Sequence, residues 1–248
     1  MTEDFSQLVT IDEIRARFDA DVERFSKLEV GQDDQNDAAL QLDLVARAAL
    51  SATATPRRLL DVGCGAGNYA LKLLGVAGEL GVAAAIERVT LVDLSANMLK
   101  RAQQRVREAF AGEVVAVQGD VRAFDFGQGE HDVIVTGQCL HHLRGESEWR
   151  GVFRAMYEGL APGGGLWIVD TVAHETPAVE AMMWDRWRAF LVSIGGEPYR
   201  DHVEAYVRAE DTPRPLSWQL ERLRDAGFAS LDVLHKTGRF ASFGGVKA

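Results

Sequence analysis

Gly63, Gly65 and Gly67 stand two residues apart, directly after the apolar run Leu59-Leu60-Asp61-Val62 and before Asn68-Tyr69. Glycines at a strand-to-helix turn let the backbone approach a ligand closely, and the helix that follows offers free N–H groups to it. Two carboxylates recur in equivalent places. Asp93 closes the run Val89-Thr90-Leu91-Val92, and Asp120 follows Val114 to Val117 through Gln118-Gly119. A carboxylate at the end of the second strand of such a unit accepts hydrogen bonds from both hydroxyls of a ribose. All three features fall at C-terminal strand ends, where open α/β sheets bind their ligands. A dinucleotide fingerprint spaced G-x-G-x-x-G needs glycine where this chain has Asn68, which counts against a nicotinamide-dependent oxidoreductase.

His141 and His142 follow the fourth apolar run, Val133 to Val135, and His174 follows the fifth, Leu166 to Val169. An imidazole at either place can serve as a general base. His141 is the first candidate and His174 the second, with local packing or capping as the alternative for each. Cys139 has no neighbouring third member of a nucleophilic triad and reads as a packed thiol. Cys64 and Cys139 share no metal-ligand spacing, so no metal site is expected.

These residues need a sheet to hold them. Five short apolar runs alternate with amphipathic stretches such as Leu99, Ala102, Val106 and Phe110, or Trp149, Phe153, Met156 and Leu160. That alternation predicts a parallel, doubly wound α/β sheet. Leu231 to Leu234 and Phe240 to Phe243 add two strands, and the short link between them permits only an antiparallel pair. Before the sheet, Ile11, Ile14, Phe18, Val22 and Phe25 form one apolar helical stripe. A break at Gly31 to Asp34 and a second helix through Leu42, Val45 and Leu50 follow. Residues 1–50 are therefore expected as a helical cap or lid on a ligand-binding domain at 51–248. An insertion at about 175–213 reads as helical, with Met183, Trp187, Phe190 and Ile194 on one face and an interruption at Gly195-Gly196. Trp184, Trp187, Phe190, Tyr199 and Tyr206 are either the wall of a substrate pocket or core.

The motif Asp61-Val62-Gly63-Cys64-Gly65-Ala66-Gly67, with Asp93 and Gln118-Gly119-Asp120-Val121 behind it, resembles the class I methyltransferases that use S-adenosylmethionine (SAM). The resemblance implies a Rossmann-like seven-stranded sheet, order 3-2-1-4-5-7-6, with the last strand antiparallel. It implies SAM as cofactor and S-adenosylhomocysteine as product. Asp61, Gly63, Gly65 and Gly67 would hold the methionine moiety and Asp93 the ribose, with Cys64 also in the cofactor site. Asp120 and Val121 would meet the adenine, with Leu94, Met98 and Gln138 completing the cofactor site. From Trp184 onward the chain is most similar to carboxy-SAM synthase, of tRNA wobble-uridine modification, and its relatives, through the insertion, Asp225-Ala226-Gly227-Phe228 and Phe240-Ala241-Ser242-Phe243-Gly244. That family's insertion holds an extra carboxylate with arginine, and alignment from Gly227 puts Glu204 there. The expected activity is methyl transfer to a small molecule, with a carboxy-SAM synthase or a non-catalytic SAM-binding protein as alternatives.

Composition is consistent with this reading. The chain of 248 residues carries a formal charge of −10, which opposes a large nucleic-acid footprint without excluding a local one. No apolar run approaches the roughly 20 residues that span a bilayer, and no basic-then-apolar leader opens the chain. With only two cysteines, a cytoplasmic enzyme with no membrane partner is expected, and a homodimer is admitted.

Overall fold

The computed structural model describes residues 5–26 and 35–248, so the expected break at Gly31 to Asp34 lies outside the described residues. Seven strands form one sheet: β1 (Arg58–Val62), β2 (Arg88–Asp93), β3 (Glu113–Gln118), β4 (His131–Gly137), β5 (Leu160–Thr171), β6 (Ser230–Thr237) and β7 (Phe240–Val246). Their order is β3-β2-β1-β4-β5-β7-β6. The pairs from β3 to β5 are parallel, and β7 runs antiparallel to both β5 and β6. The seven-stranded Rossmann-like fold expected from the sequence is the fold observed.

Central strands are apolar on both faces because helices cover both. On one face lie α3 (Ala38–Ala52), α4 (Asn68–Glu79) and α5 (Ala96–Ala109), whose Val45, Leu73, Val76 and Val106 pack on Leu59, Leu91 and Val135. On the other lie α6 (Glu146–Gly159) and α8 (Leu216–Ala226), whose Trp149, Phe153, Met156 and Leu223 meet Leu60, Ile134 and Ile168. Complete burial of each such apolar side chain stabilises the fold by about 1.5–3 kcal/mol.

Three details differ from the sequence reading. The second helix of the expected cap, α3, is part of a covering layer, and Ser242 on β7 donates to its buried Gln41 at 2.9 Å. Only α1 (Ile11–Ala20) and the single turn α2 (Val22–Phe25) lie over the strand ends; the continuous helix expected from Ile11 to Phe25 breaks at Asp21. A capping box of Thr10 with Glu13 fixes the start of α1. Strand β5 begins at Leu160, six residues before the expected Leu166, and a register shift opposite His131 absorbs Pro162 and the three glycines.

The insertion is α7 (Pro177–Glu210), two helical halves meeting at Gly196, whose φ of 76° and ψ of −178° are non-helical. Pro198 suits the first turn of the second half, where its missing N–H is not needed. The stripe that α7 buries is Trp187 and Leu191, joined by Val203 and Val207, whereas Ile194 is 46% exposed. Phe240 at the start of β7 completes this third cluster. Among the described residues no helix is long and apolar enough to cross a membrane.

Candidate active site

A crevice enclosing about 1020 Å³ of open space runs across the C-terminal ends of β1, β2 and β4. Gly63, Cys64, Gly65, Asp93, Leu94, Met98, Asp120, Val121 and Gln138 all line it. Gly63 adopts φ +64°, and a Cβ there would sit 2.6 Å from the Cys139 sulfur, so only glycine lets the two loops approach. Asp93 organises the loop as well as facing the crevice. Its carboxylate accepts from the Gly65 N–H and the Ser95 N–H, each at 2.8 Å, leaving further lone pairs open. Burial pushes its pKa up to about 6, against the pull of those two backbone donors. Asp120 is held by Arg122, which donates from its backbone N–H and its guanidinium, so the carboxylate stays ionised below its ordinary range despite burial. Cys64 and Cys139 are thiols whose burial drives their pKa upward, in keeping with packed, unreactive sulfur.

Two of the expected cofactor residues stand behind the crevice. Asp61 is 1% exposed and accepts from the Ala70 N–H at 2.9 Å, which ties the first turn of α4 to β1. Its other oxygen has no hydrogen bond, and burial raises its pKa to about 7. Gly67 faces Ala102, where a Cβ would meet the α5 backbone at 3.2 Å, so it serves the packing of α4 on α5.

Gln138 ends β4 with φ 51°, a left-handed conformation that costs a non-glycine residue free energy and recurs at functional sites. Thr171 donates to its Oε1 at 3.0 Å, while its buried amide nitrogen has no hydrogen bond. Past Gln138 a second cavity opens, about 580 Å³, lined by Arg17, Phe18, Phe25, His141, Thr171, Trp187, Tyr206, Val207, Asp211, Arg239 and Phe240. Gln138, His142, Phe18 and Phe25 line both spaces, so the crevice and the second cavity meet at these four side chains.

The histidines divide sharply. His141 and His142 sit in a tight 3-10 turn, Leu140–His142, so that adjacent residues point to different places. His141 Nδ1 is bonded to Asp170 at the end of β5, and its Nε2 lies 3.7 Å from Asp211. Burial opposes its charge, but Asp211 and Asp170 together outweigh burial and raise its pKa to about 9. His142 Nδ1 lies 3.5 Å from the same Asp211 oxygen, yet burial first and the neighbouring His141 charge second hold it well below the ordinary imidazole range. One imidazole is therefore charged and its neighbour neutral. Asp211 is placed by the end of α7, where Thr212 donates its N–H to the His141 carbonyl at 2.7 Å. Burial lifts its carboxyl to about 7. His174 lines neither space; Glu180 at 2.8 Å and Lys236 at 3.1 Å hold its ring nitrogens. Glu204 also lines neither, being clamped by Arg188 and Arg208, which hold it ionised to about 2. Asp170 and Asp211 carried a weak sequence signal at most: an acid at the end of a buried strand and another at the end of a long helix.

Helices α1 and α2 roof both spaces through Phe18 and Phe25, and the crevice through Ile11 and Ile14 as well. They are tied down on two sides. Arg17 makes a two-bond fork to Glu210, at 2.6 and 2.5 Å, and the Val9 N–H donates to Ala209. On the other side Asp19 accepts from Ser95 at 2.5 Å and from the Asn97 N–H at 3.2 Å.

Residues 59–164, which hold the glycine turn, Asp93, Asp120 and Gln138, match the methyltransferase domain family. The chain is a SAM-dependent methyltransferase. A demethylmenaquinone methyltransferase of Listeria welshimeri is 26% identical over 193 residues, 76% of this methyltransferase and 78% of that one. Two solved structures share its fold. An O-methyltransferase family protein from Burkholderia thailandensis superposes with a TM-score of 0.65 at 20% identity, covering 93% of this chain and 59% of that one. The Haemonchus contortus phosphoethanolamine N-methyltransferase 2, solved with phosphomonomethylethanolamine and S-adenosylhomocysteine, gives 0.60 at 22% identity, covering 91% of this methyltransferase and 46% of that chain. The crevice fits the SAM of this family: Asp93 keeps lone pairs for a ribose, Leu94, Met98 and Val121 offer an apolar wall for a base, and the orphaned Gln138 amide is a donor awaiting an acceptor.

Proposed function

We propose that this enzyme methylates a small molecule lodged in the second cavity, using SAM held along the crevice by the glycine turn, Asp93 and the Asp120-Val121 segment. The observation that carries this is the meeting of the two spaces at Gln138 and His142. Bound SAM supplies a sulfonium-activated methyl group that an acceptor lone pair takes by in-line displacement. The residues around it then have positioning as their main task, which can lower a barrier by about 7–11 kcal/mol. The roof of Phe18 and Phe25 excludes water from the junction. His142, neutral and adjoining both spaces, takes the acceptor's proton where one must leave, a contribution of roughly 10²–10⁴-fold. His141 is a positioning residue. Asp211 and Asp170 keep it charged, so it cannot receive that proton, but it orients Asp211 toward His142.

A small acceptor is supported by the size of the second cavity, about 580 Å³ between α1 and α7, and by the net charge of −10, both adverse to a polynucleotide. The relatives' acceptors, demethylmenaquinone and phosphomonomethylethanolamine, are small molecules by name. The test is transfer of labelled methyl from SAM into a host-cell extract with the purified enzyme. Label should collect in the low-molecular-weight fraction. Label in RNA or protein, or carboxy-SAM as the main co-purifying ligand by mass spectrometry, would overturn the proposal.

A further inference from the structure

Among the described residues, charged side chains facing the second cavity come in satisfied pairs, with one exception. Arg17 is forked onto Glu210, and His141 lies between Asp170 and Asp211. Arg239, at the tip of the β6–β7 hairpin, is 2% exposed and lines the same cavity. Its guanidinium makes no hydrogen bond and no ion pair among the described residues, and its Nε is buried without a partner. What it does have is aromatic support: the guanidinium carbon sits 3.7 Å from the Trp184 ring centre and 5.0 Å from that of Trp187. Glu180 and Asp211 attract it only from beyond ion-pair range, and burial depresses its pKa to about 10.

A buried cation without a counter-charge is strongly unfavourable, and folded proteins keep such a group paired unless something else completes it. The planar guanidinium fork matches a carboxylate in a two-bond arrangement, and stacking on indole leaves its edge N–H groups free for that purpose. Phe18, Phe25, Trp187 and Phe240 give the cavity an aromatic part to its lining.

Building on the methyl-transfer reading, we propose that Arg239 is the acceptor's anchor and that the acceptor is a flat, unsaturated carboxylic acid. Its carboxylate docks on Arg239, its ring lies between the aromatic walls, and its methyl-accepting atom reaches the junction at Gln138 and His142. The site selects acids over their neutral counterparts because a neutral group leaves the guanidinium unsatisfied.

Calorimetry on the enzyme loaded with S-adenosylhomocysteine, titrated with 4-hydroxycinnamate and with 4-hydroxycinnamamide, tests this without turnover. The acid should bind at least about tenfold more tightly than the amide, as a charge-assisted pair requires. It should also change the emission of Trp184 and Trp187. Arg239→Met should erase the preference for the acid and leave the melting temperature of the unliganded protein unchanged or higher, because it removes an unpaired buried charge. Arg239→Lys should keep part of the preference. Equal binding of acid and amide to the wild-type enzyme overturns the proposal, whether or not the Met variant folds, and so does a Met variant that still prefers the acid. Label transfer from SAM is read on a second portion of the same preparation, without S-adenosylhomocysteine. Transfer to neutral acceptors without acid preference sinks only the anchor, and acid-selective binding with no transfer sinks only the methyl-transfer reading.

Discussion

Replacing Glu210 with Gln tests whether α1 is a lid whose closure depends on the insertion. Glu210 retains 6% of its side-chain exposure and Arg17 22%, so the fork between them is mostly withdrawn from water. Removing one partner of a fully buried pair costs about 3–5 kcal/mol. Here the cost is smaller for three reasons. Arg17 keeps contact with solvent, its guanidinium lies over Phe18 at 4.3 Å and Tyr206 at 4.6 Å, and Gln retains one oxygen acceptor. A loss of about 2 kcal/mol remains, which corresponds to a roughly 30-fold shift in a local opening equilibrium. Hydrogen exchange followed by mass spectrometry reads this directly. Amides of residues 11–25 and of the second half of α7 should exchange about 30-fold faster, while those of α4 and α5 keep their protection and the melting temperature moves little. Unchanged exchange in residues 11–25 would show that Asp19 and the packing of Ile14 hold the roof unaided. Acceleration spread evenly through the sheet would show that the fork stabilises the whole fold rather than a lid.

Asp93→Asn should weaken SAM binding about ten- to a hundredfold by calorimetry, in line with the loss of charge-assisted bonds, and should also lower the melting temperature, because Gly65 and Ser95 lose a carboxylate acceptor. Asp211 is raised from 3.8 to about 7, so its contribution to stability is full below pH 4 and is lost as pH rises through 7. Asp211→Asn should therefore flatten the decline of melting temperature between pH 4 and 7 relative to wild type; parallel curves would show that this carboxyl is not perturbed. His142→Gln should lower kcat by about a hundredfold or more for an acceptor that must lose a proton, with SAM affinity retained. His174→Gln should leave both unchanged, and a large kcat loss there would move the chemistry to the β6 side.

That Gly63, Gly65, Asp93 and Asp120 would gather at one crevice was legible in the sequence because the signals are short-range: a glycine spacing, and acids just past an apolar run. The same locality grouped Asp61 and Gly67 with them, whereas their contacts, Ala70 and Ala102, lie behind the crevice. The acceptor side was not legible. His141 and His142 are chemically identical in sequence, and only the 3-10 turn, with Asp170 and Asp211 brought from 29 and 70 residues away, makes one charged and the other neutral. Arg17 and Glu210 are 193 positions apart and carry no pattern linking them. Nothing in the residues around Arg239 announces that α7 will cover it.

The insertion leaves and rejoins the sheet at nearly the same place. Ala173 pairs with Pro215 in an isolated parallel bridge, and its N–H donates to the Arg214 carbonyl at 3.2 Å. The thirty-four residues of α7 thus hang from a two-point socket beside the sheet. For a protein engineer this is a cassette boundary. Segments of different length and lining grafted between Ala173 and Pro215 would redraw the acceptor cavity while the cofactor crevice stays as it is, provided the graft returns a Thr212 N–H to His141, an acid beside it and a carboxylate to Arg17.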